Sequence, residues 1–423
     1  MRALLGRLAG FGGLPLISLI TPLLVLPVIG RVAGVGGWAS LAAGESIGTL
    51  GGIVIGYGWN VSGPPRIAAR ADPHERYAFY RQSLVVRGAV AVVVLPVVLL
   101  LCILAARRGY ELPTALMGVS SSVTGLSFAW FCVGAGDPRS IAVFEAVPRV
   151  VAAAASAGLI LVTRQLVIYP ALAVTVSLAG IVLFSRRVPG RSQAPSAGAR
   201  GLWALLVRDR GLAAIDIAGS AYGSVPVPVV SAIAAPSLAS SYASADKLYR
   251  FGQFIPITLG NAFQSWTVEA GRGGRSRRLR FALLAHLVLG VVGWALFAVA
   301  GPWVSALMFG PQVRAAGAVC FWLGAAFALL SVRTAAVRLV LVPEGKVRIV
   351  FVATVAATLV GVPSMVALTL LVGPLGAAWA VLLSEVVSAT VLASATVHEL
   401  RVAAEASAGA LHVGSTRDRA REV

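Results

Sequence analysis

The chain has 423 residues, of which 58% are hydrophobic and only 12% are charged, and its mean hydropathy is +0.87. Soluble domains carry about a quarter charged residues, so this composition excludes an ordinary soluble protein. The formal net charge is +19, but the basic residues fall mostly between apolar segments, which indicates membrane topology and not a nucleic-acid partner.

Apolar segments recur along the whole chain, and about a dozen of them are long enough to cross a bilayer as helices. Backbone groups in lipid must be satisfied within a segment, so these runs predict an all-α polytopic membrane protein with about 12 transmembrane helices. The first run lacks a signal-peptide cleavage pattern, and we expect it to be retained. The predicted spans are residues 11–30, 38–60, 84–106, 113–134, 141–163, 166–184, 211–234, 243–266, 281–303, 315–337, 349–371 and 375–397.

A polar stretch divides these spans six from six. Residues 185–210 are rich in Arg, Pro, Gly and Ser, a composition that predicts a flexible cytoplasmic linker. The predicted organisation is an N-terminal six-helix lobe at 1–184, this linker at 185–210, a C-terminal six-helix lobe at 211–398 and a disordered cytoplasmic tail at 399–423.

The distribution of basic residues predicts the orientation. Most of the 35 Lys and Arg residues fall in segments on one side of the predicted spans. The positive-inside rule therefore predicts that both termini are cytoplasmic. Lysine occurs only at Lys247 and Lys346 while Arg, Ala, Gly and Val are abundant, a bias typical of GC-rich coding, so we expect a bacterial cytoplasmic membrane protein.

Prolines interrupt corresponding spans of the two halves. Span one contains Pro15, Pro22 and Pro27, and span seven contains Pro226 and Pro228. Proline removes a backbone donor and bends a helix, and matched interrupted helices favour a central transport cavity. The alternative is that these residues reflect the general abundance of proline in membrane helices.

The densest group of charges at membrane depth is Asp246, Lys247 and Arg250 in span eight. Each such charge requires a partner or water, because an unpaired charge there costs about 2.5–3.5 kcal/mol. Asp246 and Arg250 are four residues apart and are predicted to pair on one helix face. Lys247 points elsewhere and would suit a phosphate. The alternative is a snorkelling cluster at the membrane interface.

Three further carboxylates lie within predicted spans, and each is a candidate for coupling transport to H+ or Na+: Glu45, Asp216 and Glu385. The alternatives are a local hydrogen bond for Glu45 and a half-exposed helix start for Asp216. The three cysteines stand apart and the four histidines are scattered. We therefore expect no metal site, no cofactor and no catalytic constellation.

Several stretches form a recognisable set. The opening helix ends in proline, arginine and a glycine-rich turn, at Leu14–Ile20 and Pro27–Gly34 with Gly36–Ala39. Span two ends in glycine and aromatic residues before a basic loop, at Tyr57–Ala68, and span four ends in Ala-Trp-Phe, at Ala129–Phe131 with Gly134. Span eight starts with tyrosine, alanine, an acid, a base and leucine, at Tyr242–Leu248 with Pro256. On them the chain resembles the Wzx-type polysaccharide flippases of the multidrug/oligosaccharidyl-lipid/polysaccharide exporter (MOP) superfamily, relatives of MurJ and of MATE exporters.

The resemblance implies a V-shaped bundle of two six-helix lobes that moves an undecaprenyl-diphosphate-linked oligosaccharide by alternating access. Arg31 and Lys247 would face its cavity, with Arg250, paired to Asp246, beside them. Arg66 would meet the diphosphate at the inner mouth, or serve only the positive-inside pattern. A cationic cavity lowers the cost of transferring an anionic headgroup. A polysaccharide polymerase and glycosyltransferases would be the expected partners.

Two rival functions remain at this point. A MATE-type drug or organic-cation exporter would share the architecture but would favour buried acids over Arg31, Lys247 and Arg250. A membrane-embedded glycan polymerase or glycosyltransferase would be expected to present a long outer loop or clustered carboxylates. The predicted outer loops are short, so an enzyme is disfavoured.

Overall fold

The computed structural model describes residues 2–187, 199–268 and 271–419. Within these ranges the secondary structure is helical and no strand occurs, which confirms the all-α prediction. The α-helices of the described part are α1 (Arg2–Gly56), α2 (Trp59–Ala68), α3 (Pro73–Ala105), α4 (Glu111–Val123), α5 (Ala129–Ala135), α6 (Pro138–Ile141), α7 (Val147–Thr163), α8 (Ile168–Arg187), α9 (Ala199–Ser224), α10 (Pro226–Ile233), α11 (Pro236–Val268), α12 (Gly271–Phe309), α13 (Gly317–Ala335), α14 (Val347–Val372) and α15 (Pro374–Arg419).

The helices confirm a multi-pass membrane protein. Among the described residues, nine helices are long and apolar enough to cross a membrane, or ten if the bent pair Trp203–Gly211 and Asp216–Ile233 is one span. Twelve were predicted. The first two predicted spans lie mainly in α1 and count as one helix there, although α1 is kinked between them at Gly34. The predicted eighth span lies in α11, which is too polar to count, with charges in its first half and three amide side chains in its second.

Helix breaks occur at glycine and proline, although not at every predicted proline. α1 stays helical through Pro22 and Pro27 and breaks instead at Gly34, whose φ of 62° and ψ of −171° suit glycine. α9 ends at Ser224, and Pro226 begins α10. Proline is favoured in a first helical turn because its missing N–H has no partner there in any case. The predicted interruption of span seven is therefore observed.

The ends of the predicted linker are helical. α8 runs to Arg187 and α9 begins at Ala199, while residues 188–198 of the predicted 185–210 linker lie outside the described residues. At the other end of the chain, α15 continues to Arg419, into the stretch predicted as a disordered tail.

By contact, the chain forms two compact units. Unit 1 is Met1–Ser244 with Val304–Arg314, and unit 2 is Ala245–Trp303 with Ala315–Val423. The boundary falls inside α11, so the units differ in extent from the predicted six-helix lobes, which stay a prediction. α1 is the central helix of unit 1, where it packs against α3, α4, α7, α9 and α10. In unit 2, α15 packs against α13 and α14.

A seam of small residues joins α1 to α4 in unit 1. A side chain at Gly44 would meet the carbonyl of Thr114 within 2.5 Å, and one at Gly48 would collide with the backbone of Gly118. Small residues spaced four apart let membrane helices approach closely, and such packing replaces the hydrophobic drive that lipid does not supply. The two helices therefore pack backbone to backbone.

Two of the stretches that carried the family resemblance pack on each other in unit 1. The rings of Trp59 and Trp130 lie 5.5 Å apart between centroids, and Trp130 covers Gly63. Phe79 and Tyr80 of α3 complete this buried aromatic cluster. The glycine–aromatic pattern of these stretches therefore has a packing role.

Candidate functional site

Unit 1 contains a cavity with charged and hydroxyl side chains among its lining residues. It has a volume of about 220 Å³ and is lined by Glu45 of α1, Glu145 and Arg149 beside and within α7, and Tyr169 of α8. Glu145 pairs with Arg149 at 3.0 Å and accepts a hydrogen bond from the Ser127 hydroxyl at 2.6 Å. Of the three predicted coupling carboxylates, Glu45 is the one that this cavity adjoins.

The local fold explains why Glu145 reaches the cavity. It lies in a π-helical turn, Ala142–Ala146, that precedes α7. Such a turn inserts an extra residue into a helix and is frequent at functional sites, because it re-aims the side chains that follow it. Glu145 lies near the start of the predicted span 141–163, but nothing in the sequence joins it to Glu45. No local sequence pattern indicates a π-helical turn, so the sequence did not predict that Glu145 and Glu45 line the same cavity.

Asp216 stands apart from that cavity. It lies in α9 and is half-buried, next to the bend between Trp203–Gly211 and Asp216–Ile233. The half-buried position agrees with both sequence alternatives, a coupling carboxylate and a partly exposed helix residue.

Arg31 holds the end of another helix in unit 1. Its guanidinium donates to the carbonyls of Pro27 and Met308 at 2.9 Å and to that of Leu307. Leu307 and Met308 end α12, where the last carbonyls have no partner within the helix and carry the negative end of its dipole. Arg31 therefore has a structural partner that the sequence did not reveal, since the contact joins residues 277 positions apart.

Arg66 forms an ion pair in unit 1. Its guanidinium binds the Asp209 carboxylate at 3.1 Å, with the Arg66 side chain 32% exposed and that of Asp209 only 5% exposed. Arg208 binds the same carboxylate, also at 3.1 Å. Asp209 was not singled out from the sequence, because it lay in the stretch predicted as a flexible linker. Arg66 therefore anchors α2 to α9.

The charged cluster of α11 lies in unit 2 and is buried. Asp246 is 3% and Lys247 is 6% exposed. The Arg250 guanidinium binds the Asp246 carboxylate at 2.5 Å, which confirms the pairing predicted from their spacing. Burial of Asp246 and Lys247 disfavours the snorkelling alternative, in which the charged ends would reach water. The three residues include two cations and one anion.

Glu385 of unit 2 is part of a buried ion pair. Its carboxylate is 1% exposed and accepts from the Arg333 Nε at 2.8 Å and from a terminal nitrogen at 3.3 Å. This two-point geometry is the strong form of an arginine–carboxylate contact. The partner lies 52 residues away on α13, so sequence spacing did not predict it.

A further buried cation, Arg87 of α3, was missed because it was counted with the basic cytoplasmic loop. It is fully buried. Its guanidinium donates to the carbonyls of Gly125 and Ser127 at 3.0 and 2.8 Å and to the Ser83 hydroxyl at 3.1 Å, and it lies over the Trp130 ring. Arg87 therefore satisfies the carbonyls that the break between α4 and α5 leaves open.

Comparisons with solved structures identify the fold. No family model and no curated protein sequence matches the chain. A MATE family multidrug-resistance transporter of the MOP superfamily, described as inward-facing, matches with a TM-score of 0.65 and 11% identity over 91% of this chain and 96% of that one. The lipid II flippase MurJ in an inward closed conformation matches with a TM-score of 0.64 and 10% identity, covering 96% and 92%.

The chain has the fold of these MATE transporters and of MurJ. A second MATE protein, described as being in a bent conformation, agrees with a TM-score of 0.51 and 15% identity over 94% of this chain and 99% of that one. At these identities the likeness concerns the fold alone. The predicted all-α membrane fold like that of MATE and MurJ proteins is thus confirmed, while the V shape, the two six-helix lobes, the Wzx type and the oligosaccharide cargo stay predictions.

Proposed function

We propose that the chain is an alternating-access transporter that moves a lipid-linked saccharide bearing an anionic diphosphate across a bacterial cytoplasmic membrane, with both termini in the cytoplasm. The observation that carries this proposal is the α11 cluster, in which Asp246 and Lys247 are buried and Arg250 is partly buried. Charges at membrane depth are costly and mark substrate or ion pathways in transporters. The fold supports the same conclusion, because the similar solved structures are described as transporters and a flippase.

The chemistry of the cluster suits an anion. The segment carries two positive charges, Lys247 and Arg250, and one negative charge, Asp246, so its formal net charge is positive. A diphosphate headgroup loses its hydration when it enters a membrane cavity, and an ammonium group can replace part of that hydration. The Lys247 ammonium would act as a point charge with three donors that tolerates headgroups of different geometry. The lipid tail would stay in the bilayer.

A second candidate function is export of a cation. The unit 1 cavity, which adjoins Glu45 and Glu145, supports it, because carboxylates in a confined polar site favour a proton, a metal cation or an organic cation. In our proposal this cavity instead binds the coupling ion, H+ or Na+. Transport of a lipid-linked saccharide and export of a cation predict different cargoes. They also predict that different variants abolish movement of the cargo.

The test compares the only two lysines of the chain. Proteoliposomes would contain a fluorescent undecaprenyl-diphosphate disaccharide, and a membrane-impermeant quencher would report its movement between leaflets. Lys247→Ala should lower the rate about tenfold or more, as loss of a charge-assisted contact in the membrane would. Lys346→Ala is the control, because Lys346 is half-exposed and pairs with Glu399.

Two results would contradict the proposal. One is an unchanged lipid-linked saccharide rate in a folded Lys247→Ala protein. The other is accumulation of an organic cation such as ethidium by the wild type with no movement of the saccharide probe, which would favour the exporter. Arg31→Ala is a poorer test, because it also removes the contacts that hold the end of α12.

A further inference from the structure

An apolar groove runs along α3 on unit 1. One part of it has a volume of about 540 Å³ and is lined by α1, α3 and the α9–α10 junction, with Val97 and Leu101 on one wall and Val229 on the other. A second part, of about 530 Å³, is lined by α3 and α9 and includes Trp203 and Arg210. Both parts contain Val93 and Val94, so they form one continuous groove.

The groove is nearly as long as the bilayer core is thick. Its α3 lining extends from Ala89 to Ala105, which at 1.5 Å per residue corresponds to roughly 24 Å. The hydrocarbon core measures about 30 Å. Large side chains of α3 along it remain exposed, with Val93 at 69% and Leu104 at 70%. The groove is therefore open along its length.

Hydrogen bonds connect the α9–α10 wall of the groove to its other sides. At one end the Arg107 guanidinium donates to the carbonyls of Ser231 and Ala234, at 2.9 Å for Ser231. At the other, the Tyr57 hydroxyl donates to the carbonyl of Leu206 at 2.9 Å. Tyr57 adopts a φ of 48°, a strained conformation for a bulky residue that persists only where the surroundings fix it.

The second part of the groove contains a cation. Arg210 is exposed and lines this part together with the apolar side chains of Val90, Val94 and Val207. A lipid that fits this surface has an apolar chain along the groove and an anionic group beside Arg210. On the predicted orientation the second part is the more cytoplasmic one, where a lipid-linked precursor would begin its passage.

We propose that this groove binds the polyprenyl chain of a phosphate-bearing lipid, with the phosphate near Arg210. The proposal rests on the proposed function in naming a polyprenyl carrier as the lipid. The groove suits a single chain because one slot runs between α3 and the α9–α10 wall, with α1 as its floor. A two-chain phospholipid would leave one chain outside it.

The test maps contacts of a probe on the full chain in phosphatidylcholine nanodiscs. A polyprenyl phosphate with a diazirine on its chain would be photolysed, and the labelled peptides would be identified by mass spectrometry. Label is expected on residues 89–105 and 224–232. Val97→Trp and Val229→Trp, one on each wall, should each lower this labelling about tenfold by filling the groove, the factor that 1.4 kcal/mol of lost binding gives.

Matched controls lie on the same helices. Val92→Trp should leave labelling unchanged, because Val92 is 74% exposed on α3 and does not line the groove. Arg210→Gln should weaken labelling by the phosphate probe and leave labelling by a neutral diazirine polyprenol unchanged. Arg208→Gln, the neighbouring cation that binds Asp209, should affect neither.

The proposal is overturned if phosphatidylglycerol competes as well as polyprenyl phosphate, since the groove would then hold any bulk lipid. It is equally overturned if both tryptophan variants fold and label normally, or if wild-type label is absent from 89–105. Groove labelling without saccharide movement would refute the proposed function alone. Saccharide movement without groove labelling would refute the groove alone.

Discussion

The two units treat their membrane carboxylates in different ways. In unit 1, Glu45 and Glu145 adjoin a polar cavity of about 220 Å³ with one arginine, Arg149, on its wall. In unit 2, Glu385 is 1% exposed and is held at two points by Arg333, and Asp246 is held by Arg250. The acids of unit 1, including Glu145 in its pair with Arg149, line a cavity, whereas the two acids of unit 2 are buried against arginine.

This difference ranks the candidate coupling carboxylates. An acid that takes up an ion during transport needs space around it, whereas a carboxylate held at two points by an arginine has both oxygens occupied. Glu45 adjoins a cavity, and Glu385 is held at two points by Arg333. We therefore propose that ion coupling lies at the unit 1 cavity and that the Glu385 pair has a structural role.

The largest effect is expected from Glu385→Gln. It removes the counter-ion of Arg333 and leaves a largely buried guanidinium uncompensated, which destabilises proteins by about 3–5 kcal/mol. The midpoint temperature of thermal unfolding of the purified protein should fall steeply. A double variant, Arg333→Met with Glu385→Leu, should recover most of the loss, because replacing both partners of a buried pair is often neutral. If Glu385→Gln unfolds at the same temperature as the wild type, the proposed difference between the carboxylates of the two units is wrong.

A smaller effect, on the rate of transport alone, is expected from Glu45→Gln. The glutamine has nearly the same shape, so the thermal transition should stay unchanged while movement of the saccharide probe falls about tenfold and loses its dependence on an imposed H+ or Na+ gradient. Glu344→Gln is the matched control, since Glu344 is partly exposed and pairs with Arg275. A Glu45→Gln protein that still responds fully to the gradient would exclude the cavity as the coupling site.

The smallest effect is expected from Arg66→Gln in unit 1. Arg66 is 32% exposed, and Asp209 keeps Arg208 as a second partner. Solvent screening limits such pairs to less than about 1 kcal/mol. The thermal transition should therefore shift far less than in Glu385→Gln. Equal losses in the two variants would show that exposure does not separate the ion pairs of the two units.

Properties that depend on local sequence could be predicted. Hydropathy gave the all-α membrane fold, the four-residue spacing gave the Asp246–Arg250 pair, and Pro226 marked the interruption between α9 and α10. Each of these rests on residues within a few turns of one another. The boundary between the first two spans could also be predicted, since the break of α1 at Gly34 falls between the predicted spans 11–30 and 38–60.

Partners distant along the chain could not be predicted. Glu385 meets Arg333, and Arg31 meets the end of α12, because helices far apart in sequence pack together. Hydrophobic periodicity identifies a face that is buried but not the helix that covers it. Arg87 illustrates the same limit, since the carbonyls it binds lie about 40 residues away.

Arg87 also restricts how α4 and α5 can change shape. A continuous helix through Gly125 and Ser127 would use their carbonyls for its own hydrogen bonds, and the fully buried guanidinium would share or lose these two acceptors and keep the Ser83 hydroxyl. Straightening this segment would therefore weaken the contacts of a buried charge, which is costly. We therefore expect the break between α4 and α5 to persist when unit 1 changes shape.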